Sequence, residues 1–479
     1  MIYGVGLGAQ NIIGFVMLPI YTRYLTPADF GTLGMMQIII DLASLVFGAQ
    51  LSQGVFRNFY AAQTAEDKNS VVASALSFVV ISKLVGVALL AGFAGPSARL
   101  LFGSDDLAGY MALFAVSLLT SSLFFIPFQY LRALEKPVTF VVLSLVKLGL
   151  QLCLNVYFVV HLRMGILGVI WSTVLTGLTL GLGMSVWTLI RTRFAFSWTQ
   201  AGRLVSFSWP LILTGLVSMY IGSGARLLIS RYAGLAEVGL FMLAFRLAGV
   251  MSTAIWRPFH QAWAPQRFKL VGSEEGMSTY SRGFLLVSVG LVSAGVALAL
   301  FSPEVVRLMS ARAFWGAATI VPVLVLQNVI TAATRFSRFG LLVEGRTRAF
   351  LAPTIVSALA ATAVAFVLVK PLGAIGVAWA WVCQAILNLW LIERKDRSAF
   401  DVRLPWGKFW ALVAAGIVAY LLSTLGPTGM WESVGYKTII LAVFVFGVIF
   451  SPIVGSKERK ALIRLARDAI NKTGRLVRA

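Results

Sequence analysis

Fourteen apolar runs separated by short polar punctuation constrain this chain more than any other feature. A bilayer core about 30 Å thick takes ~20 apolar residues per helical crossing. The runs lie near 2–21, 32–56, 71–95, 108–131, 138–160, 166–190, 204–225, 238–256, 283–302, 315–334, 349–369, 374–392, 408–425 and 436–455. Composition agrees: 59% of the 479 residues are hydrophobic and only 12% are charged, against ~25% charged in soluble proteins. Mean hydropathy is +0.87. The expected fold class is therefore an all-α polytopic membrane protein with 14 transmembrane helices.

The formal charge is +22, from 40 Lys and Arg against 18 Asp and Glu. A nucleic-acid binder would spread such charge over a polar surface, whereas here the cations cluster between apolar runs. Two Cys exclude a disulfide scaffold, and two His leave little for a metal cluster. Lys and Arg are retained on the cytoplasmic side during insertion. With the N-terminus inside, 28 of the 40 cations fall in inner loops and the tail, 9 in outer loops, and 3 (Lys83, Lys147 and Arg246) within spans. Both termini are expected inside. The outer loops are too short for a catalytic domain, so no enzyme activity is expected.

No cleavable signal precedes the first run, which reads as a retained helix. Its Gly4-x-Gly6-x-Gly8 opens a membrane helix with no strand before it and is not read as a phosphate loop. The chain starts almost inside that span, at Met1-Ile2-Tyr3, which leaves a short leader ahead of it as an expectation. Residues 457–479 read as a basic amphipathic helix on the inner leaflet, or as an ordinary basic tail.

The chain is internally duplicated. Arg23-Tyr24-Leu25-Thr26-Pro27-Ala28-Asp29-Phe30-Gly31 recurs as Arg231-Tyr232-Ala233-Gly234-Leu235-Ala236-Glu237-Val238-Gly239, 208 positions later. Gly165-Ile166-Leu167-Gly168-Val169 recurs as Gly373-Ala374-Ile375-Gly376-Val377 at the same offset. The expected domains are an N-terminal lobe over 1–203, a C-terminal lobe over 204–393, two appended spans within 394–456 and the tail 457–479. Six spans per repeat give parallel copies, an arrangement of alternating-access carriers with a cavity near the midplane.

Ionisable groups inside a span are costly and face protein or water. Span two carries one polar stripe of Gln37, Asp41, Ser44, Gly48 and Ser52, and span eight another of Arg246, Gly249, Thr253, Arg257 and His260. Span five aligns Ser144, Lys147, Gln151 and Asn155; span seven aligns Pro210, Thr214, Ser218, Gly222 and Arg226. A cavity with several cations and one carboxylate attracts an anionic group such as a phosphate. The alternatives are structural: an Asp41–Arg246 ion pair, a snorkelling or carbonyl-capping Lys83, and headgroup or topology roles for Arg23, Arg57, Arg226 and Arg231. Cys153 and Cys383 are expected to be packing residues. Trp256, Trp379 and Trp381 either stack on a sugar face or pack in the core.

The run Leu18-Pro19-Ile20-Tyr21-Thr22-Arg23-Tyr24-Leu25-Thr26-Pro27-Ala28-Asp29-Phe30-Gly31 resembles the opening signature of the polysaccharide-transporter proteins. These are the oligosaccharide flippases of the multidrug/oligosaccharidyl-lipid/polysaccharide exporter superfamily. The resemblance implies two lobes in a V-shaped bundle, in the bacterial inner membrane. It implies translocation of an undecaprenyl-diphosphate-linked oligosaccharide for O-antigen, lipopolysaccharide or exopolysaccharide assembly. Relatives that flip lipid II line a cationic cavity with arginines on the first, second and eighth spans, and Arg23, Arg57 and Arg246 match these by span and depth. The expected substrate-binding residues are Arg23, Arg57, Lys147 and Arg246, with Asp41 coupling to H+ or Na+. No other cofactor is expected. The expected partners are the lipid-linked oligosaccharide, membrane lipids, a polysaccharide polymerase and a chain-length regulator, and no nucleic acid. A cation-coupled multidrug exporter and a non-transporting scaffold of a polysaccharide assembly complex are the alternatives.

Overall fold

A computed structural model describes residues 17–49, 51–257, 259, 260, 263, 274–339, 341, 347–396, 404–427, 429–452 and 455. Every regular element among them is a helix. Among the described residues, eleven helices are long and apolar enough to cross a membrane, and the protein is a multi-pass membrane protein. The first span up to Val16, with its glycine run, and the basic tail 457–479 lie outside the described residues.

Contacts divide the chain into two units, Met1–Met242 with Met309–Phe314, and Leu243–Leu308 with Trp315–Ala479. The first unit opens with α1 (Leu18–Tyr24) and α2 (Pro27–Ser44), which a π-helical turn over Leu45–Ala49 separates from α3 (Leu51–Ala61). Then follow α4 (Ala65–Gly92), α5 (Ala94–Phe102), α6 (Ala108–Ala133), α7 (Pro137–Asn155), α8 (Gly165–Arg191) and α9 (Trp198–Tyr232). Helix α7 ends in a π-turn, Val156–His161, and helix α10 (Leu235–Met251) continues through another, Ser252–Trp256. The second unit holds α11 (Glu274–Leu300), α12 (Ser302–Met309), α13 (Ala317–Ser337), α14 (Leu351–Asp396), α15 (Trp406–Thr424) and α16 (Met430–Phe450).

Local chemistry explains where the helices start. Thr26 Oγ1 accepts from the Asp29 amide at 3.1 Å, while Asp29 Oδ2 accepts from the Thr26 amide at 2.9 Å. This capping box satisfies two donors that a helix leaves orphaned, and Pro27 at the first position loses no helical bond. Thr64 caps α4 through the Asp67 amide at 3.1 Å.

Helix α14 covers two expected spans, 349–369 and 374–392, and reverses between them. Gly373 takes φ 59° and ψ −137°, a conformation open to glycine. Three residues on, a Cβ at Gly376 would collide with the Leu368 carbonyl. Residues eight apart in one straight helix are ~12 Å apart, so the chain has folded back.

In the first unit α6 and α8 approach closely because Gly177 and Gly181 face Thr120 and Leu123, a small-xxx-small seam. Phe114, Ile170 and Val174 fill one buried cluster, and Val55, Leu76, Val79 and Ile126 another.

The duplication is visible as an exchange of contacts. A Cβ on Gly31 would overlap the Leu235 carbonyl, and a Cβ on Gly239 would overlap the Pro27 carbonyl. Position 27 corresponds to 235, and 31 to 239, so each repeat offers its glycine to the other's helix start.

Candidate functional site

The polar stripe of span two forms on α2, where Gln37 Nε2 donates to Asp41 Oδ1 at 2.8 Å. The cation whose field reaches Asp41 is Arg226 of α9. Arg226 donates through Nη1 to the Gly34 carbonyl at 3.2 Å and through Nη2 to Ser223 Oγ at 2.8 Å. Glycine at 34 leaves space beside α2, which the Met242 side chain also enters. The result is a carboxylate with an amide on one side and a guanidinium within Coulombic range.

On α7 the expected stripe divides. Lys147 Nζ sits 4.1 Å from the centre of the Phe124 ring, a cation–π contact. Gln151 and Asn155 are drawn into structure: Tyr21 donates to Asn155 Oδ1 at 2.9 Å, Ser172 to the same oxygen at 2.8 Å, and Gln151 Nε2 to Ser172 at 3.3 Å. Lys83 is buried, with Nζ donating to Ser44 Oγ at 3.3 Å and Ser121 Oγ at 3.5 Å. It caps hydroxyls rather than a carbonyl.

The second unit gathers three arginines. Arg335 lies near the end of α13 with its guanidinium 5.0 Å from the Trp256 ring centre. Its charge sits in the fields of Arg338 and Arg257. Arg338 stands 5.5 Å from the Phe350 ring centre, and its Nε is buried without a hydrogen-bond partner. Among the described residues none of the three is paired with a carboxylate. Ser252, Trp256, Asn328 and Arg335 border a small cavity. Three like charges without counter-ions repel one another, and a bound anion removes that cost.

The expected site residues fall as follows. Arg23 is exposed at the last turn of α1, Arg57 lies on α3 with its side chain outside the described part, and Arg246 is exposed on α10. Lys147 and Asp41 occupy the two separate clusters of the first unit described above. Arg226, Arg335 and Arg338 emerge as site candidates that hydropathy had sorted to span ends and loops. A signal existed: Asn328, Thr331 and Arg335 on α13 and Arg338 at its C-cap repeat at three-, four- and three-residue steps, one helix face. Trp256 is buried beneath Arg335, whereas Cys153 and Cys383 are exposed and not packed in a core. Among the described residues no group of His, Cys, Asp or Glu forms a metal site.

A model of the family described as "polysaccharide biosynthesis protein" matches residues 20–319. The chain belongs to the polysaccharide biosynthesis protein family. This family member has the fold of a lipid II flippase, MurJ, in an inward closed conformation, at TM-score 0.70 and 12% identity, over 93% of this chain and 98% of that one. An inward-facing multidrug resistance transporter of the MATE family superposes at 0.61 and 18% identity, over 84% of this chain and 96% of that one. A transporter of the same superfamily from Pyrococcus furiosus, described as having a binding pocket of reversed polarity, gives 0.52 and 15% identity, over 86% and 94%. Curated proteins offer no match.

Proposed function

We propose that this protein is a flippase that moves an undecaprenyl-diphosphate-linked oligosaccharide from the inner to the outer leaflet of a bacterial cytoplasmic membrane. The observation that carries this reading is the guanidinium group of three, Arg257, Arg335 and Arg338, over an aromatic floor with no carboxylate partner among the described residues. A diphosphate presents paired oxygens to which planar guanidinium forks bond two at a time. The positive-inside rule puts this end of α13 at the cytoplasmic face, where a newly made lipid-linked glycan would load. Parallel repeats support alternating access, with both termini cytoplasmic. Arg23, Arg57, Lys147 and Arg246 are further substrate contacts in this reading. Asp41, next to Gln37 and in the field of Arg226, is the group that couples transport to H+ or Na+. A polymerase and a chain-length regulator would take up the product.

Vesicles holding the purified protein and a fluorescent undecaprenyl-diphosphate oligosaccharide test this. A charge-assisted hydrogen bond contributes ~1.5–3 kcal/mol, so Arg335→Ala should lower the rate at least ~tenfold, and Arg335→Lys should restore only part of it. Wild-type flipping by the Arg335→Ala/Arg338→Ala double variant would remove the anion site. Asp41→Asn should abolish the response to an imposed gradient while leaving downhill flipping. The competing drug-exporter reading needs a site for cationic drugs, which three arginines repel. Drug resistance on overexpression, with no glycan movement, would favour it.

A further inference from the structure

Span two was expected as one helix over 32–56, and it breaks. Between α2 and α3, Phe47 (φ −92°, ψ 22°) and Gly48 (φ 130°, ψ 9°) leave helical geometry within the π-turn Leu45–Ala49. Gly48 adopts a backbone region that side-chain-bearing residues rarely enter. π-Turns interrupt the regular hydrogen-bond ladder, cause sharp kinks and concentrate at functional positions.

One face of α4 is built around this break. Val79, Lys83 and Gly86 are spaced i, i+4 and i+7, so they share that face. Val79 Cγ2 lies 3.3 Å from where a Gly48 Cβ would stand. Lys83 reaches Ser44, the last residue of α2, and Ser121 of α6. Gly86 makes room for the Phe47 ring, which a Cβ there would approach to 2.8 Å. Lys83 is only 3% exposed, and its partners among the described residues are two hydroxyls, not a carboxylate. A membrane-embedded ammonium with so little compensation is costly, and it ties the last residue of α2, directly before the break, to α6.

The duplication supplies a second, independent sign. The π-turn Ser252–Trp256 at the end of α10 starts 207 positions after Leu45–Ala49 begins, close to the repeat offset, and stands just before Arg257. Both copies therefore carry a π-turn at the corresponding position, although only the first leaves helical dihedrals.

We propose that Leu45–Ala49 is a hinge within span two, and that Lys83, bridging Ser44 and Ser121, is the latch that holds its bent form. Releasing the latch lets α3 swing relative to the part of α2 that carries Asp41. The hinge would serve the transport cycle proposed above, but its existence does not depend on the cargo.

Double spin labels at Ala28→Cys and Ala61→Cys, both exposed positions, read the hinge by pulsed distance measurement in nanodiscs. The full-length chain is used with Cys153→Ser and Cys383→Ser. Lys83→Met keeps the length of the side chain and removes the donors. It should change the ratio of bent to straightened populations by ~tenfold, and Ser44→Ala/Ser121→Ala should move it the same way. Gly48→Ala should also favour the straight form, since alanine resists φ near +130°. A merely structural lysine predicts a lower melting temperature with an unchanged distance distribution; that result in both the lysine and the double-serine variants would overturn the latch. Should Lys83→Met fail to fold, the double-serine variant decides alone. Distances that shift in a protein moving no glycan would keep the hinge and sink the flippase reading; unshifted distances in an active flippase would do the reverse.

Discussion

Lys437 of α16 reaches Glu304 of α12 at 2.6 Å, with side chains 9% and 13% exposed, and Ser433 adds a hydrogen bond at 3.1 Å. Burial by itself pushes the Glu304 carboxyl up. The hydrogen bonds from Lys437, its own backbone and Ser433, together with the lysine charge, more than reverse this and hold it below the usual carboxylate range. A depressed folded-state value stabilises the protein above the ordinary carboxylate pKa and loses that contribution as pH falls through the folded value. Lys437→Met leaves the carboxylate buried and unpaired, which costs ~3–5 kcal/mol. Thermal unfolding in detergent should show a large loss at pH 7 that narrows at acidic pH, where the carboxyl is neutral; a loss independent of pH would argue that the lysine acts by packing alone. Nothing in the sequence announced this pair. Lys437, at the start of the last apolar run, counts among the nine outer-loop cations, and 133 residues separate it from its partner.

At the scale of the helix, the run Thr26-Pro27-Ala28-Asp29-Phe30-Gly31 acquires a physical reading. Its first four residues cap α2, and Gly31 lets the start of α10 approach to backbone contact. Gly31→Val and Gly239→Val should each destabilise by ~1–3 kcal/mol or more, because the obstructing atoms are backbone carbonyls that cannot move aside cheaply. The two losses should be less than additive, since they open one shared seam. Gly149→Ala, where a Cβ meets nothing within 4 Å, is the control; equal melting temperatures across the set would refute the seam. The repeat was legible because identical spacing survives in the chain. The break in span two was not, because Phe47 and Gly48 sit within an unbroken apolar run and hydropathy does not register a backbone dihedral.

For the molecule as a whole, the split of loop cations gives an expected orientation. A membrane-impermeant maleimide should label Asp106→Cys in intact cells and spare Lys136→Cys, placed in the first outer and inner loops tested; reversed labelling would invert the topology. The duplicated fold carries an unduplicated charge pattern, since positions 208 before Arg335 and Arg338 hold Pro127 and Tyr130. Function therefore cannot be read by copying one repeat onto the other. The sequence by itself determined the helical class, the approximate crossings, the repeat and the expected orientation, because run length, spacing and loop charge are local quantities. Tertiary structure alone decided which polar groups meet: Arg335 with Trp256 and two more arginines, Lys83 with Ser44 and Ser121, Lys437 with Glu304. Those pairings depend on which helix faces pack together, and apolar runs of similar hydropathy leave that choice open.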